Sequence, residues 1–305
     1  MEHHSVIIIG AGPAGLSTAL ALSQHGAKDV VVLERETQTG GIVRHCSHKG
    51  FAPFKNFGFM TGPNLALQLR EQTKGLDVRT STTVLEFTLR GTLRVHSAQG
   101  ITEMSADKIV LATGTRETSR AARLIGGNKL KSVMNTGELQ QRVYLNGERP
   151  FKRPVIVGSE WVSYSTLLTC RHLHAKPVMM LAEASENAAP SYFALGARLV
   201  GTKVVRGAKI LAIHGNTTVA SIEIEQFGKK QTVECDAVVL TGKLRSEDAL
   251  YSNGYLERAG YAPAVTENFK TSKPNIYAVG NVLGHLETAG RCMVQGRELA
   301  KFLSA

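Results

Sequence analysis

Three glycines near the start of the chain have the spacing of a diphosphate-binding turn. Gly10, Gly12 and Gly15 fill the pattern G-x-G-x-x-G. In such a turn the first glycine allows a tight bend, the second lets the backbone approach a pyrophosphate, and the third lets a helix pack closely on a strand. Glu34 follows about 20 residues later, where a carboxylate accepts hydrogen bonds from a ribose. The spacing predicts a dinucleotide site.

A second turn of the same kind lies in the middle of the chain. It reads G-S-E-W-V-S from Gly158, so the middle glycine is replaced by Glu160 and the third by Ser163. Serine is still small, but Glu160 brings a side chain and a negative charge to the place where a diphosphate would lie. Two like charges ~4 Å apart repel by ~4 kcal/mol at an effective dielectric constant of about 20. We expect this turn to be degenerate.

Among the four cysteines, Cys46 has the neighbours most typical of a reactive thiol. Arg44, His45 and His48 surround it, and nearby cations lower the pKa of a thiol. A thiol that only lines a pocket is the alternative interpretation. No C-x-x-C occurs, which argues against a dithiol of that type, a zinc ribbon and an iron–sulfur cluster held by this chain alone. Because the His45–Cys46–His48 group lacks a second ligand pair, no metal site is predicted.

The glycine turns need strands and helices on both sides, and the hydrophobic pattern supplies them. Residues 6–9 read as a buried strand, residues 13–24 as a helix and residues 30–33 as a second strand. The same order returns at residues 154–181, and this repeat also ends in an acid, Glu183. Residues 116–150 look polar and irregular, so we place a domain boundary there.

Composition sets the broad class. The chain has 305 residues, 43% hydrophobic and 20% charged, which fits a soluble chain of about two domains. No apolar run reaches the ~18 residues of a membrane span, and the first residues do not resemble a signal peptide. We therefore expect a cytoplasmic protein without membrane insertion. The formal net charge is +11, but the basic residues are dispersed, so nucleic-acid binding is not predicted.

Three motifs in order resemble those of a known superfamily. They are G-A-G-P-A-G with Glu34, A-T-G at residues 112–114 and N-I-Y-A-V-G-N at residues 275–281. Together they resemble the FAD-contact motifs of the pyridine nucleotide–disulfide oxidoreductase superfamily, whose flavoproteins have two dinucleotide-binding domains. The resemblance implies an α/β fold with a split Rossmann-like FAD domain, residues 1–117 and 246–305. An inserted Rossmann-like domain of NAD(P)-binding type, with the degenerate motif, would occupy residues 118–245.

The resemblance also implies which residues bind FAD. Asn281 stands where the superfamily usually has Asp beside the ribityl chain, and Thr288 opens a last helix whose dipole would stabilise negative charge on the flavin. The implied cofactor-binding residues are Gly10, Gly12, Pro13, Ala14, Gly15, Glu34, Arg35, Gly41, Val84, Thr113, Gly114, Gly280, Asn281, Thr288 and Ala289. Catalytic residues stay unassigned, with Cys46 as the candidate.

Two longer stretches are similar to a narrower group. G-G-I-V-R-H-C-S-H at residues 40–48 and V-G-S-E-W-V-S-Y-S-T-L-L at residues 157–168 resemble FAD-binding alpha-type subunits. These are the subunits of hydrogen cyanide synthase, opine oxidase and dye-linked proline or hydroxyproline dehydrogenases. The similarity implies an electron-relay or accessory subunit of an amino-acid, opine or amine dehydrogenase. Its partners would be a second flavoprotein and a small iron–sulfur protein.

Two other functions remain open at this point. One is a stand-alone NAD(P)H-dependent reductase of the flavin disulfide type, in which Glu160 turns outward and Glu183 accepts the nicotinamide cofactor's ribose. The other is a non-catalytic FAD-binding scaffold. Since Glu160 replaces the second motif glycine, we expect that NAD(P)H does not bind in the usual way.

Overall fold

A computed structural model describes residues 1–48, 60–88, 91–183, 197–198 and 201–305. Its α-helices are α1 (Pro13–Gln24), α2 (Gly62–Gln72), α3 (Thr136–Tyr144), α4 (Trp161–His172) and α5 (Ala289–Ser304). Its strands are β1 (Glu2–Ile9), β2 (Val30–Leu33), β3 (Asp77–Arg79), β4 (Thr83–Phe87), β5 (Leu93–Ser97), β6 (Gly100–Leu111), β7 (Thr115–Glu117), β8 (Gly126–Gly127), β9 (Val133–Asn135), β10 (Pro154–Val157), β11 (Met179–Ala182), β12 (Val204–Arg206), β13 (Ala208–Gly215), β14 (Val219–Gln226), β15 (Lys229–Glu234), β16 (Ala237–Leu240), β17 (Leu244–Ser246), β18 (Arg258–Ala259), β19 (Ala262–Pro263) and β20 (Ile276–Ala278). Short 3-10 helices lie at Gly41–His45, Ala121–Arg123 and Gly280–Leu283.

Contacts along the chain divide it into two compact units. The first unit combines residues 1–116 with residues 245–305, and the second consists of residues 117–244. The second is therefore inserted in the sequence of the first. No helix in the described ranges is both long and apolar enough to cross a membrane.

The first unit is built on a seven-stranded sheet in the order β3–β2–β1–β6–β5–β4, with β20 also paired to β6. β1 has parallel partners on both sides, where Ile7 is level with Val31 of β2 and Ile109 of β6. All three side chains are fully buried. Continuous apolar runs are typical of parallel strands covered on both faces, which explains the composition of these segments.

Helices α1, α2 and α5 share one core on this sheet, with Leu16, Leu65 and Leu299 buried in it. The first and last helices approach closely at Gly296, where a Cβ atom would lie 2.6 Å from the carbonyl oxygen of Ala14. Glycine at this position therefore lets α5 pack against the first turn of α1.

The second unit combines a parallel sheet with an antiparallel one. The parallel sheet has the order β12–β11–β10–β16–β9 and the other the order β15–β14–β13–β8. Ile156 of β10 is level with Met180 of β11 and Val239 of β16. Side chains of both sheets share one core, whereas α3 and α4 share another core with the parallel sheet. The predicted α/β class with two Rossmann-like units is confirmed.

The prediction that residues 116–150 are irregular is wrong. They include β9, which pairs with β16 at the edge of the parallel sheet, and α3. Asn135 caps α3, since its side-chain oxygen accepts a hydrogen bond from the Glu138 N–H at 2.8 Å. Leu139 and Val143 bury the apolar face of the helix. The strand is only three residues long, too short for its alternation to stand out from the polar sequence.

Candidate cofactor-binding site

The first motif forms the bend between β1 and α1. Gly10 has a φ of 109°, and a Cβ atom there would lie 2.5 Å from the carbonyl oxygen of Ala112. A Cβ atom on Gly15 would overlap the carbonyl oxygen of Gly10. Both positions therefore require glycine for the strand–helix connection itself.

The middle glycine faces open space. A Cβ atom on Gly12 would meet only the Cα atom of Gly41, at 4.0 Å, and one on Gly114 would meet nothing within 4 Å. Gly41 has a φ of 62°, and its Cβ atom would lie 3.0 Å from the Gly12 Cα atom. No side chain caps α1. The positive end of the α1 dipole thus faces a groove walled by bare backbone, which fits a diphosphate.

Glu34 is fixed beside this turn. It is 6% exposed, and its two carboxylate oxygens accept hydrogen bonds from the N–H groups of Ala11 at 2.8 Å and Glu36 at 2.9 Å. Each oxygen keeps a lone pair for a further donor. A buried carboxylate held at the end of β2 is therefore able to accept from a ribose hydroxyl group.

Other predicted residues lie around the same edge of the first sheet. Arg35 is exposed, with Nη1 3.7 Å from a carboxylate oxygen of Glu247. The Thr113 hydroxyl group donates to the carbonyl oxygen of Glu247 at 3.2 Å. Val84 lies in β4, opposite Val95 of β5. The segment before β4 meets the end of β2, because the Thr82 N–H donates to the Glu34 carbonyl oxygen at 2.8 Å.

The last strand and helix bring in the C-terminal residues. Gly280 has a φ of 80°, and a Cβ atom there would lie 2.7 Å from the Cβ atom of Ala14 in α1. Thr288 caps α5, because its hydroxyl oxygen accepts from the Arg291 N–H at 3.3 Å, and Ala289 is the first helical residue. The N-termini of α1 and α5 therefore belong to one packed arrangement.

Asn281 has a role that its sequence position did not reveal. Its Oδ1 accepts from the Glu287 N–H at 2.8 Å, and its Nδ2 donates to the Glu287 carbonyl oxygen at 3.2 Å. The side chain therefore closes the loop that leads into α5. An aspartate accepts but does not donate, so the amide supplies a bond that the expected acid would lack.

The surroundings of Cys46 differ from the prediction. Cys46 is 8% exposed, and its thiol donates to the carbonyl oxygen of Ile42 at 3.3 Å. Burial, followed by the charge of Arg44, lowers the pKa of His45 to about 4. His45 is therefore neutral at pH 7, and the expectation that it adds a positive charge beside the thiol is wrong. Arg44 itself lies 3.8 Å from a Glu36 oxygen.

The turn of the second unit is filled by a side chain, whereas that of the first is open. The Glu160 carboxylate is folded onto the turn, where Oε2 accepts from the Ser159 N–H at 3.0 Å and the Ser163 hydroxyl group at 3.1 Å. A Cβ atom on Gly158 would lie 2.6 Å from that oxygen, and one on Gly242 would overlap the carboxylate. Glu160 thus points into the turn and not outward.

Glu183, the acid that ends the second repeat, forms an ion pair. Its Oε2 lies 2.5 Å from Nζ of Lys243, which follows the end of β16. The residues of the first unit thus fit an FAD diphosphate and ribose, whereas the Glu160 carboxylate lies in the corresponding turn of the second unit. In the described part of the chain, no group of three or more His, Cys, Asp or Glu could hold a metal ion.

Comparisons with known proteins agree with this fold. The alpha subunit of sarcosine oxidase from Rhizobium meliloti (strain 1021) is 27% identical over 252 residues, 79% of this chain and 24% of that protein. An opine oxidase subunit from Rhizobium meliloti is 25% identical over 329 residues, 97% of this chain and 61% of that protein. Soluble pyridine nucleotide transhydrogenase of Photobacterium profundum is 24% identical over 352 residues, 99% of this chain and 70% of that protein.

The chain thus spans only part of each of these relatives. Among solved structures, T. acidophilum thioredoxin reductase superposes with a TM-score of 0.81 at 18% identity, covering 100% of this chain and 98% of that one. The family model for pyridine nucleotide-disulphide oxidoreductases matches residues 4–296, as the three sequence motifs predicted. The chain therefore belongs to the pyridine nucleotide-disulphide oxidoreductase family of FAD-dependent oxidoreductases.

Proposed function

We propose that the chain is the FAD-binding, electron-relay subunit of a heteromeric dehydrogenase or oxidase for an amino acid, opine or related amine. The observation that carries this proposal is the contrast between an open glycine groove in the first unit and a turn filled by Glu160 in the second. A flavin that cannot be reduced by a nicotinamide cofactor needs another electron donor. A second flavoprotein that oxidises the amine would supply those electrons.

Residues of the first unit would hold the cofactor. In this proposal, residues 1–117 and 246–305 form the FAD domain, and residues 118–245 form an inserted domain that has lost nucleotide binding. The backbone of Gly12 and Gly41, which approach each other closely, would line the groove for the diphosphate together with Gly114, and Glu34 would accept the adenosine ribose. Bound FAD supplies hydride and one-electron transfer. The N-terminal end of α5, positioned by Asn281, favours negative charge on the cofactor.

Relatives support the subunit role. Two of the similar proteins are by name subunits, of a sarcosine oxidase and of an opine oxidase. The chain also lacks the C-x-x-C of a dithiol reductase, and Cys46 is a buried thiol beside a neutral histidine. These features favour electron relay over disulfide reduction.

The test uses the FAD-loaded chain with sarcosine, an opine and proline as donors and a redox dye as acceptor. We expect no dye reduction by the chain alone, and substrate-dependent reduction once the second flavoprotein subunit is added. Oxidation of any of these amines by the chain alone would contradict the subunit role.

A matched variant separates electron relay from a scaffold role. Gly12→Val adds a side chain to the groove at a position where a Cβ atom meets only the Gly41 Cα atom, at 4.0 Å. The variant should therefore fold but lose FAD. If the complex assembled with this variant still reduces the dye, the chain is a scaffold.

A stand-alone NAD(P)H-dependent reductase is the second candidate. The observation that favours it is the similarity to soluble pyridine nucleotide transhydrogenase over 99% of this chain. Stopped-flow mixing of the FAD-loaded chain with NADH distinguishes the two functions. Rapid bleaching of the flavin absorbance would replace the relay proposal with this one, whereas the relay proposal expects no bleaching.

A further inference from the structure

We propose that the Glu160 carboxylate is a built-in substitute for the phosphate of a dinucleotide, and that this one side chain excludes nicotinamide cofactors from an otherwise intact binding turn. The inference deepens the proposed function, because it rests on the inserted unit having lost nucleotide binding. Glu160 thereby decides which electron donors the flavin can use.

The carboxylate lies where this fold class binds dinucleotides. In open parallel sheets, ligands bind beyond the carboxyl ends of the strands, at the point where the strand order reverses. In the second unit that point lies between β10 and β16, since β10 continues through α4 to β11 on its other side. Gly158 follows β10 and Gly242 follows β16, and the Glu160 carboxylate lies against both glycines.

The groups that bind the carboxylate are of the kind that bind phosphate. Backbone N–H groups at a helix N-terminus, hydroxyl groups and arginines are the usual phosphate partners. Glu160 accepts from the Ser159 N–H and from the Ser163 hydroxyl group. Arg123 adds a nearby positive charge that interacts with Glu160, and its guanidinium group is fixed by the carbonyl oxygens of Thr241 at 2.9 Å and Gly242 at 2.8 Å.

The rest of the turn is still able to accept a ligand. Gly158 keeps the tight bend with a φ of 142°, and Ser163 is fully buried at the third position. Gly242 lacks a side chain at the point where the carboxylate lies. The pair between Glu183 and Lys243 is half-exposed, and such pairs cost little to open. Glu160 is therefore the main obstacle to a diphosphate.

Removing the obstacle should create a binding site. Repulsion between like charges ~4 Å apart, at an effective dielectric constant of about 20, accounts for about a thousandfold in affinity, and the steric conflict adds to it. Glu160→Gly removes both terms and restores the second glycine of the motif, while Ser163 stays at the third position. Glu160→Gln removes the charge but keeps the volume, so it measures the Coulomb term separately.

Binding is measured by titrating the FAD-loaded protein with NADH while following fluorescence quenching of Trp161, the only tryptophan, which directly follows Glu160. Calorimetry with NADH and with ADP provides a second readout. We expect NADH binding too weak to saturate for the wild type, an affinity about a thousandfold higher or more for Glu160→Gly, and an intermediate affinity for Glu160→Gln. Circular dichroism and FAD content check that each variant is folded.

Two results would overturn the inference: micromolar NADH binding by the wild type, or folded variants that bind NADH no more tightly than the wild type. If Glu160→Gly does not fold, the affinity of Glu160→Gln decides. The proposed function is tested separately by amine-dependent dye reduction. Tight NADH binding by Glu160→Gly would therefore support the inference even if the chain proved to oxidise amines alone.

Discussion

The two strand–turn–helix units of this chain have the same order of elements but differ at the second position of the turn. At the end of β1, Gly12 leaves bare backbone facing a groove, whereas at the end of β10 the equivalent position holds Glu160, folded inward onto Ser159 and Ser163. The second unit nevertheless keeps its parallel sheet and its helix. The fold therefore needs the tight first bend but not an open second position.

The third motif position shows a further difference. A Cβ atom on Gly15 would overlap the Gly10 carbonyl oxygen, but Ser163 carries a full side chain at zero exposure. Its hydroxyl group contacts the Thr241 hydroxyl group at 2.5 Å. The first unit thus demands glycine to bring α1 close to β1, and the second uses a hydroxyl group to join α4 to the end of β16.

The largest expected effect tests that difference directly. Gly15→Ala should cost about 3 kcal/mol or more, because the new atom meets backbone that cannot move aside, and FAD binding should be lost with it. Ser163→Ala should cost only about 1 kcal/mol, the value of the hydrogen bonds it removes. Urea unfolding of both variants gives the two values. Equal losses would show that the two third positions are under the same constraint.

Acid should act in opposite directions on the two units. The folded-state pKa of His45 in the first unit is about 4, against an ordinary value of 6.5. Its contribution to the free energy of unfolding is fully present above pH 6.5 and is lost as the pH falls, by about 2–3 kcal/mol at pH 4.5. In the second unit, burial raises the pKa of Glu117. That group contributes stability at low pH and loses it as the pH rises.

Amide hydrogen exchange at pH 7 and pH 4.5, corrected for intrinsic rates, measures the effect of acid on each unit separately. Protection in β1 and β2 should fall with acid, while protection in β10 and β16 should not. His45→Gln removes the titrating group and should flatten the change in the first unit. If the protection of β1 and β2 falls with acid as much in that variant as in the wild type, other groups cause the effect.

The groove itself can be tested by a pair of glycines. Gly41→Ala and Gly26→Ala both place alanine at positive φ, 62° and 83°, which costs about 1–2 kcal/mol in each case. Gly26 has nothing within 4 Å, whereas a Cβ atom on Gly41 lies 3.0 Å from the Gly12 Cα atom. Only Gly41→Ala should weaken FAD binding, by about tenfold or more, measured by flavin fluorescence. Equal FAD affinities would place the cofactor away from this groove.

The sequence predicted those features of the two units that depend on local patterns. The bends, α1 and β2 follow from glycine spacing and apolar runs, which act over a few residues. The sequence predicted that Glu160 brings its charge to the turn, but not the hydrogen bonds that hold it there, since these depend on donors at Ser159 and Ser163 and on space beside Gly242. The neutrality of His45 was missed because its burial comes from packing, which sequence neighbours do not show.

The position of Asn281 in the third motif predicted a cofactor contact. It did not reveal the two hydrogen bonds of the side chain to Glu287. Asn281→Asp keeps the acceptor for the Glu287 N–H but replaces the donor to the Glu287 carbonyl oxygen by a carboxylate oxygen. We expect a loss of about 1–2 kcal/mol in the free energy of unfolding and a less ordered first turn of α5.

In the second unit, Asn135→Asp serves as the control, because it keeps the acceptor for the Glu138 N–H through which that side chain caps α3. It should therefore be nearly neutral. Thermal unfolding and the flavin reduction potential of both variants test this: a shift in potential for Asn281→Asp alone supports a positioning role, and equal behaviour contradicts it.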